Sequence, residues 1–187
     1  MRDEFSKLTE GRENENLKDV LKDVVQVEKM VELQYLSWII YEGLRIRPPL
    51  PNPAEHVVVK DFSAGGYNFK AGTKFFIYLG GLHRNSEEWQ RPDEFIPERF
   101  DHTSPLSLTS SGEKRNTFSW APFLGGKRIC FGKTLADANM RTVITYFTQN
   151  FDFEFVEPEK YQEKLPEIQY FPIVQRQIKV RLRRRKP

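Results

Sequence analysis

The sequence predicts an α+β fold, mainly helical with small antiparallel β-sheets, and three patterns carry that prediction. Leu33, Leu36, Ile40 and Leu44 recur at helical spacing, as do Leu135, Ala136, Met140, Val143, Ile144 and Phe147. Between these stretches the β-branched run Val57-Val58-Val59 and the turn pair Gly65-Gly66 mark short strands joined tightly. Near the end, Phe151, Phe153 and Phe155 share one face of a strand, and Ile178, Val180 and Leu182 share one face of another. The chain has 187 residues, 39% hydrophobic and 29% charged, enough for one domain with a real core.

Residues 1–31 form a polar lead-in rich in Glu, Lys, Asp and Asn. Leu17, Val20, Leu21 and Val24 are its sparse apolar positions, so it reads as an exposed amphipathic helix with a solvated charged face. Residues 32–47 form the first strongly periodic helix, with Trp38 and Ile39 widening the stripe. Pro48-Pro49 ends it, because proline has no N–H and restricts the residue before it. Gly43 weakens this helix by about 1 kcal/mol relative to alanine. Glu42 and Arg45 are neighbours on one face, with Trp38 one turn behind. As an exposed pair they would contribute a few tenths of a kcal/mol. In apolar company they would need further donors to offset desolvation, and a second arginine could supply them.

Residues 57–78 read as a small antiparallel sheet, with turns at Gly65-Gly66 and Ala71-Gly72 and a second apolar strand from Phe75 to Tyr78. Residues 84–122 read as an irregular, rigid meander and loop. Ser86 with Glu87 and Glu88 resembles a capped turn, Trp89, Phe95 and Phe100 are aromatic anchors, and Pro92 and Pro97 oppose regular structure. The Ser/Thr-rich part, 102–117, reads as an exposed loop, after which Phe118, Trp120 and Pro122 lead onward.

Residues 123–132, FLGGKRICFG, hold the one cysteine of the chain, Cys130, together with Gly125, Gly126, Gly132, Lys127 and Arg128. Glycines permit a tight turn and close approach of a bulky group, while cations and a following helix N-terminus suit an electron-rich sulfur. A single cysteine excludes an intramolecular disulfide and is compatible with a reducing compartment. It could also be an inert buried thiol, or a nucleophile if His56, His83 or His102 stood beside it as a base. The helix over 133–150 follows directly. Residues 151–187 supply the closing strands and a basic tail; Arg181, Arg183, Arg184, Arg185 and Lys186 contribute five charges, and the net +3 less these leaves −2 elsewhere. That tail lacks interleaved aromatics for base stacking, which argues against nucleic acid. No run approaches the roughly 18 apolar residues of a membrane span, and Met1 opens a polar segment, so the expectation is a soluble chain.

The stretch FLGGKRICFG fits F-x-x-G-x-R-x-C-x-G, the haem-binding loop of the cytochrome P-450 family, with Phe123, Gly126, Arg128, Cys130 and Gly132 in the five fixed positions. Glu42-Gly43-Leu44-Arg45 resembles the E-x-x-R of the family's helix K, where threonine or serine is more usual at the place of Gly43. Phe95-Ile96-Pro97-Glu98-Arg99-Phe100 resembles its P-E-R-F segment. The motifs stand in the family's order, so the resemblance covers nearly the whole chain. It implies a single partial domain, the C-terminal part of the cytochrome P-450 fold.

By this resemblance the chain looks like part of a haem-thiolate monooxygenase, which inserts one oxygen atom of O₂ into a small lipophilic substrate. Its cofactor would be haem b, with electrons from NADPH through a reductase partner. Cys130 would be the proximal iron ligand, tempered by backbone N–H groups of the loop. Phe123 would shield the sulfur, and Arg128 would pair a propionate. His56 stands nearest to where the family usually has an arginine for a second propionate contact; it also reads as an ordinary surface histidine. Glu42, Arg45 and Arg99 would form a structural triad that performs no chemistry, and the chain would hold no catalytic residue beyond the haem ligand. Nothing before helix K resembles the family's proton-delivering helix or distal roof, which implies the C-terminal portion of a longer enzyme. The loop sequence resembles that of membrane-bound members whose anchor is N-terminal, which implies a full-length parent anchored to the endoplasmic reticulum membrane and contact with a membrane surface. Two other readings stay open: a non-catalytic haem-binding or scaffold remnant, and a cysteine-nucleophile enzyme.

Overall fold

The computed structural model describes residues 2–8, 19, 32–51, 55–161 and 178–185. The chain enters through a short helix, α1 (Arg2–Leu8), and the central helix is α2 (Gln34–Ile46). The lead-in positions Leu17, Val20, Leu21 and Val24 lie outside the described residues. Leu33, at the N-cap of α2, has no side chain able to accept the first free N–H groups. Glu4 supplies that acceptor from α1, its Oε1 taking the Tyr35 N–H at 2.7 Å. A carboxylate also complements the positive end of the helix dipole.

Burial explains why α2 sits at the centre. Leu33, Leu36, Ile40 and Leu44 are all buried and form one core cluster, against which Tyr41, Trp120, Phe123, Met140 and Ile144 pack. Its polar side is buried as well, through Ser37, Glu42 and Arg45. The tertiary structure therefore encloses α2 on both faces.

The region expected as one sheet divides into two ladders. β1 (His56–Val57) pairs antiparallel with β4 (Lys74–Phe75), and between them β2 (Phe62–Ala64) pairs with β3 (Tyr67–Phe69). Gly65 and Gly66 join β2 to β3 with φ of 57° and 79°, the left-handed backbone that a two-residue hairpin turn needs. The expected strand from Phe75 to Tyr78 stops at Phe75, and a helical turn, α3 (Leu79–Leu82), follows. The aromatic ring of Tyr78 explains the glycines in α3. A Cβ on Gly80 or Gly81 would stand 2.8 or 2.7 Å from that ring.

In the meander, Trp89 and Phe100 face inward, but Phe95 is mostly exposed. The expected anchor fails there because the next residue, Ile96, directs its N–H inward to Glu42. The turn that follows α3 is capped by Asn85, whose Oδ1 accepts the Glu87 N–H at 3.1 Å, and not by Ser86.

Helix α4 (Lys133–Asn150) departs most from its sequence pattern. Met140 and Ile144 reach the α2 core, yet Leu135 is 67% exposed and Val143 64%. Arg141 and Thr145 are the buried residues. Arg141 donates from Nε to Asp137 at 2.7 Å and from Nη1 to Ser37 Oγ at 2.8 Å, tying α4 to α2. β5 (Phe151–Phe155) then pairs with β6 (Val180–Arg184), placing Phe153 opposite Leu182 and Phe155 opposite Val180. Ile178 precedes the paired residues. Among the described residues no helix is long and apolar enough to cross a membrane.

Candidate functional site

The site is built outward from one buried carboxylate. Glu42, Arg45 and Arg99 all have zero solvent exposure, so each charge must be answered inside the protein. Arg45 forks onto Glu42, donating from Nε to Oε2 at 2.7 Å and from Nη2 to Oε1 at 2.9 Å. Arg99 donates from Nε to Oε1 at 3.1 Å, and the Ile96 N–H reaches the same oxygen at 2.8 Å. The guanidinium hydrogens left over go to carbonyls of the meander. Arg45 takes those of His83 at 2.9 Å, Pro92 at 2.7 Å and Glu94 at 3.0 Å. Arg99 takes those of Gln90 and Arg91. Arg91 has a left-handed backbone with φ of 49°, which costs an L-residue about 1–2 kcal/mol.

A third arginine extends the network. Arg115 donates to the carbonyls of Leu106 and Arg99, both at 2.7 Å, and lies 4.4 Å from the Trp89 ring centre, with Arg45 at 5.1 Å. Two guanidiniums thus pack over the electron-rich ring of one tryptophan. Burial, then the charge of Arg99, pushes the Arg115 pKa down to about 10, so it stays charged at neutral pH.

The limb that enters the cysteine loop is held by three contacts. Asn116 N–H donates to Glu88 Oε2 at 2.7 Å, Trp120 Nε1–H to the Tyr41 carbonyl at 3.2 Å, and Ala121 N–H to His83 Nε2 at 3.0 Å. His83 is fully buried, and burial first, with the charges of Arg45 and Arg84 adding to it, lowers its pKa to about 4. It is a neutral acceptor at physiological pH.

The loop turns on short bonds. Leu124 N–H donates to the Ala121 carbonyl at 2.8 Å and Cys130 N–H to the Phe123 carbonyl at 2.9 Å. Leu124 and Gly126 both have left-handed backbones, φ of 61° and 62°, so two reversals separated by the extended Gly125 are packed into the loop. A Cβ on Gly125 would stand 2.9 Å from the Phe118 ring, and one on Gly132 would lie 3.7 Å from Cys130 Sγ, so glycine at 132 leaves that side of the sulfur open. Gly132 is also the N-cap of α4. Cys130 is free and exposed. Around it Phe118, Ile129, Phe131 and Leu135 expose apolar surface, while Lys127 and Arg128 lie exposed on the turn Gly126–Arg128. An accessible sulfur, exposed apolar side chains and cations form a donor set that fits haem, an apolar macrocycle with a metal centre and anionic propionates.

The five motif residues therefore sit in one loop, and Glu42, Arg45 and Arg99 meet in one ion network. Phe123 directs its ring to the α2 core, with its carbonyl holding the Cys130 N–H. His56 sits in β1 with its ring 5.5 Å from that of Phe75, and among the described residues no hydrogen bond joins it to the loop. The sequence pattern does not single out Arg115 or Arg141, and it marks His83 only as a candidate base for Cys130, whereas the structure places its ring against the Ala121 N–H. The partners of these three residues lie up to 104 residues away in the chain, and no local period marks such contacts.

Comparison with known proteins places these observations together. The family model for cytochrome P-450 matches residues 10–181. The chain is 38% identical over 123 residues to a steroid 17-alpha-hydroxylase/17,20 lyase of Felis catus, covering 66% of this chain and 23% of that enzyme. It is 34% identical over 154 residues to the vinorine hydroxylase of Rauvolfia serpentina, covering 81% of this chain and 30% of that one. The chain thus spans between about a quarter and a third of these relatives. A zebra fish cytochrome P-450 solved with abiraterone superposes with a TM-score of 0.68 at 25% identity, covering 99% of this chain and 39% of that one. Another cytochrome P-450 crystal structure gives a TM-score of 0.74 at 24% identity, covering 98% of this chain and 37% of its own, which shows the shared fold. A family match across residues 10–181, over a fold whose cysteine loop and buried ion network lie within that span, establishes that the chain belongs to the cytochrome P-450 family.

Proposed function

We propose that this chain is the thiolate-ligand portion of a haem monooxygenase that acts on a small lipophilic substrate. The observation that carries the proposal is Cys130, exposed on a doubly reversed loop among apolar side chains and cations. Cys130 Sγ would hold the iron, and Arg128 would pair a propionate by a charge-assisted bond. Phe118, Ile129 and Phe131 would cover apolar parts of the ring. When bound, haem supplies the iron centre at which dioxygen is activated, with electrons from NADPH through a reductase. The residues of this chain position the sulfur. The Phe123 carbonyl fixes the Cys130 N–H, and the Glu42 network fixes the meander behind the loop. Steroid and vinorine hydroxylases among the relatives support a lipophilic organic substrate.

The test is the reduced carbon monoxide difference spectrum after haem is supplied. A thiolate ligand gives a strongly red-shifted Soret band, which Cys130→Ser removes while far-ultraviolet circular dichroism stays unchanged. The same spectrum in Cys130→Ser would overturn the assignment.

A further inference from the structure

We propose that His83 is a positioning residue for the cysteine loop, holding its entering limb through the unprotonated Nε2 of a neutral imidazole and releasing it in acid. The inference concerns loop placement and does not depend on whether the loop carries haem.

His83 joins two parts of the site that are far apart in sequence. Its backbone carbonyl accepts Arg45 Nη1 at 2.9 Å, so its main chain belongs to the buried ion network. Its side chain accepts the Ala121 N–H at 3.0 Å, and the Ala121 carbonyl in turn accepts Leu124 N–H at the first reversal of the loop. One residue therefore connects Glu42 and Arg45 to the position from which the chain turns toward Cys130. An N–H donor can only bond an unprotonated ring nitrogen, so the contact fixes the tautomer: the proton sits on Nδ1. Nδ1 is buried without a hydrogen-bond partner among the described residues, although the nearby carbonyls of Arg45 and Leu44 favour a proton on the ring.

The same geometry makes the contact sensitive to protonation. A second ring proton would convert Nε2 from acceptor to donor and set it against the Ala121 N–H. It would also add a charge beside Arg45 of α2 and Arg84 of the adjoining turn, the charged groups that act on the ring. Arg84 is partly answered by Asp93 at 3.4 Å, while the limb Ser119–Phe123 brings no charge of its own. Burial and both arginines disfavour that second proton, and the pKa falls to about 4. The contact is therefore intact near neutrality and is lost when the ring is forced to charge.

The experiment is nuclear magnetic resonance on the full 187-residue chain, with His83→Gln and His83→Leu as variants. Glutamine keeps an acceptor near the position of Nε2 and cannot titrate; leucine removes the acceptor. In the parent chain, ring nitrogen shifts should show Nε2 unprotonated and Nδ1 protonated, with a midpoint well below the ordinary histidine range. Amide exchange at Ala121 should quicken about tenfold in His83→Leu and stay within about threefold in His83→Gln, as expected for one lost buried hydrogen bond. Ala121 protection should fall at acid pH in the parent chain and persist in His83→Gln. An Nε2–H tautomer, an ordinary titration, or equal Ala121 exchange in the two variants would overturn the proposal. Should His83→Leu fail to fold, the tautomer and the acid response of His83→Gln decide it.

Discussion

Glu42 is the residue on which most of the others depend. Its Oε1 alone accepts from Arg45, Arg99 and Ile96, and it is the carboxylate that both buried guanidiniums share. Glu42→Gln would leave those cations without a counter-charge, and the expected loss of stability is about 3–5 kcal/mol, read as a lower urea midpoint. Arg45→Lys keeps the charge but not the fork. Lysine cannot meet both carboxylate oxygens and the carbonyls of His83, Pro92 and Glu94, so it should cost at least about 2 kcal/mol by the same measurement. His83 predicts a pH dependence. Its pKa falls from the ordinary 6.5 to about 4 on folding, so between those values the unfolded chain binds a proton that the folded chain does not. Stability from this group is complete above pH 6.5 and is lost as pH falls toward 4, by up to about 3 kcal/mol. Denaturation at pH 7 and pH 4.5 should show this fall in the parent chain and a smaller one in His83→Gln.

At the scale of elements, glycines separate two kinds of constraint. Gly126 has φ of 62° with open space around its Cα, so Gly126→Ala should cost about 1–2 kcal/mol from backbone strain alone. Gly80 has an ordinary backbone, but an added Cβ would press on the Tyr78 ring at 2.8 Å. Gly80→Ala should cost about 1–3 kcal/mol, and Tyr78→Ala should recover part of it, because the penalty is steric. A thermal-melting double-mutant cycle checks both statements. Element existence was legible where periodicity was strong: α2 was expected over 32–47 and runs Gln34–Ile46, and α4 was expected over 133–150. The strand expected at Phe75–Tyr78 was not found, because its last residue lays its ring across Gly80 and Gly81 and the chain turns there. Short apolar runs do not reveal such a turn.

For the whole molecule, the main feature is what the chain leaves uncovered. Phe118, Ile129, Phe131, Leu135 and Val143 are all exposed, and Phe131 has no measurable burial. Exposed apolar surface on this scale favours association. Phe131→Ser should change stability by no more than about 0.5 kcal/mol, while reducing self-association in sedimentation and binding of an apolar dye. An effect on stability as large as a core substitution would mean that the ring is buried in solution.

The sequence by itself determined the periods of α2 and α4, the hairpin glycines, and a cysteine loop whose five fixed residues resemble a known haem-binding pattern. These are local properties, set by residue type and spacing along a short stretch. Only the tertiary structure decided which polar groups answer one another. Arg99 reaches Glu42 across 57 residues, His83 reaches Ala121 across 38, and Arg141 reaches Ser37 across 104. It also decided that α4 turns Arg141 inward and Leu135 outward, against the simplest reading of its apolar stripe. The reason is common to both. A side chain's preference for burial is encoded locally, but a buried charge must find its partner wherever the fold brings one, and an apolar face can be covered only where another surface arrives.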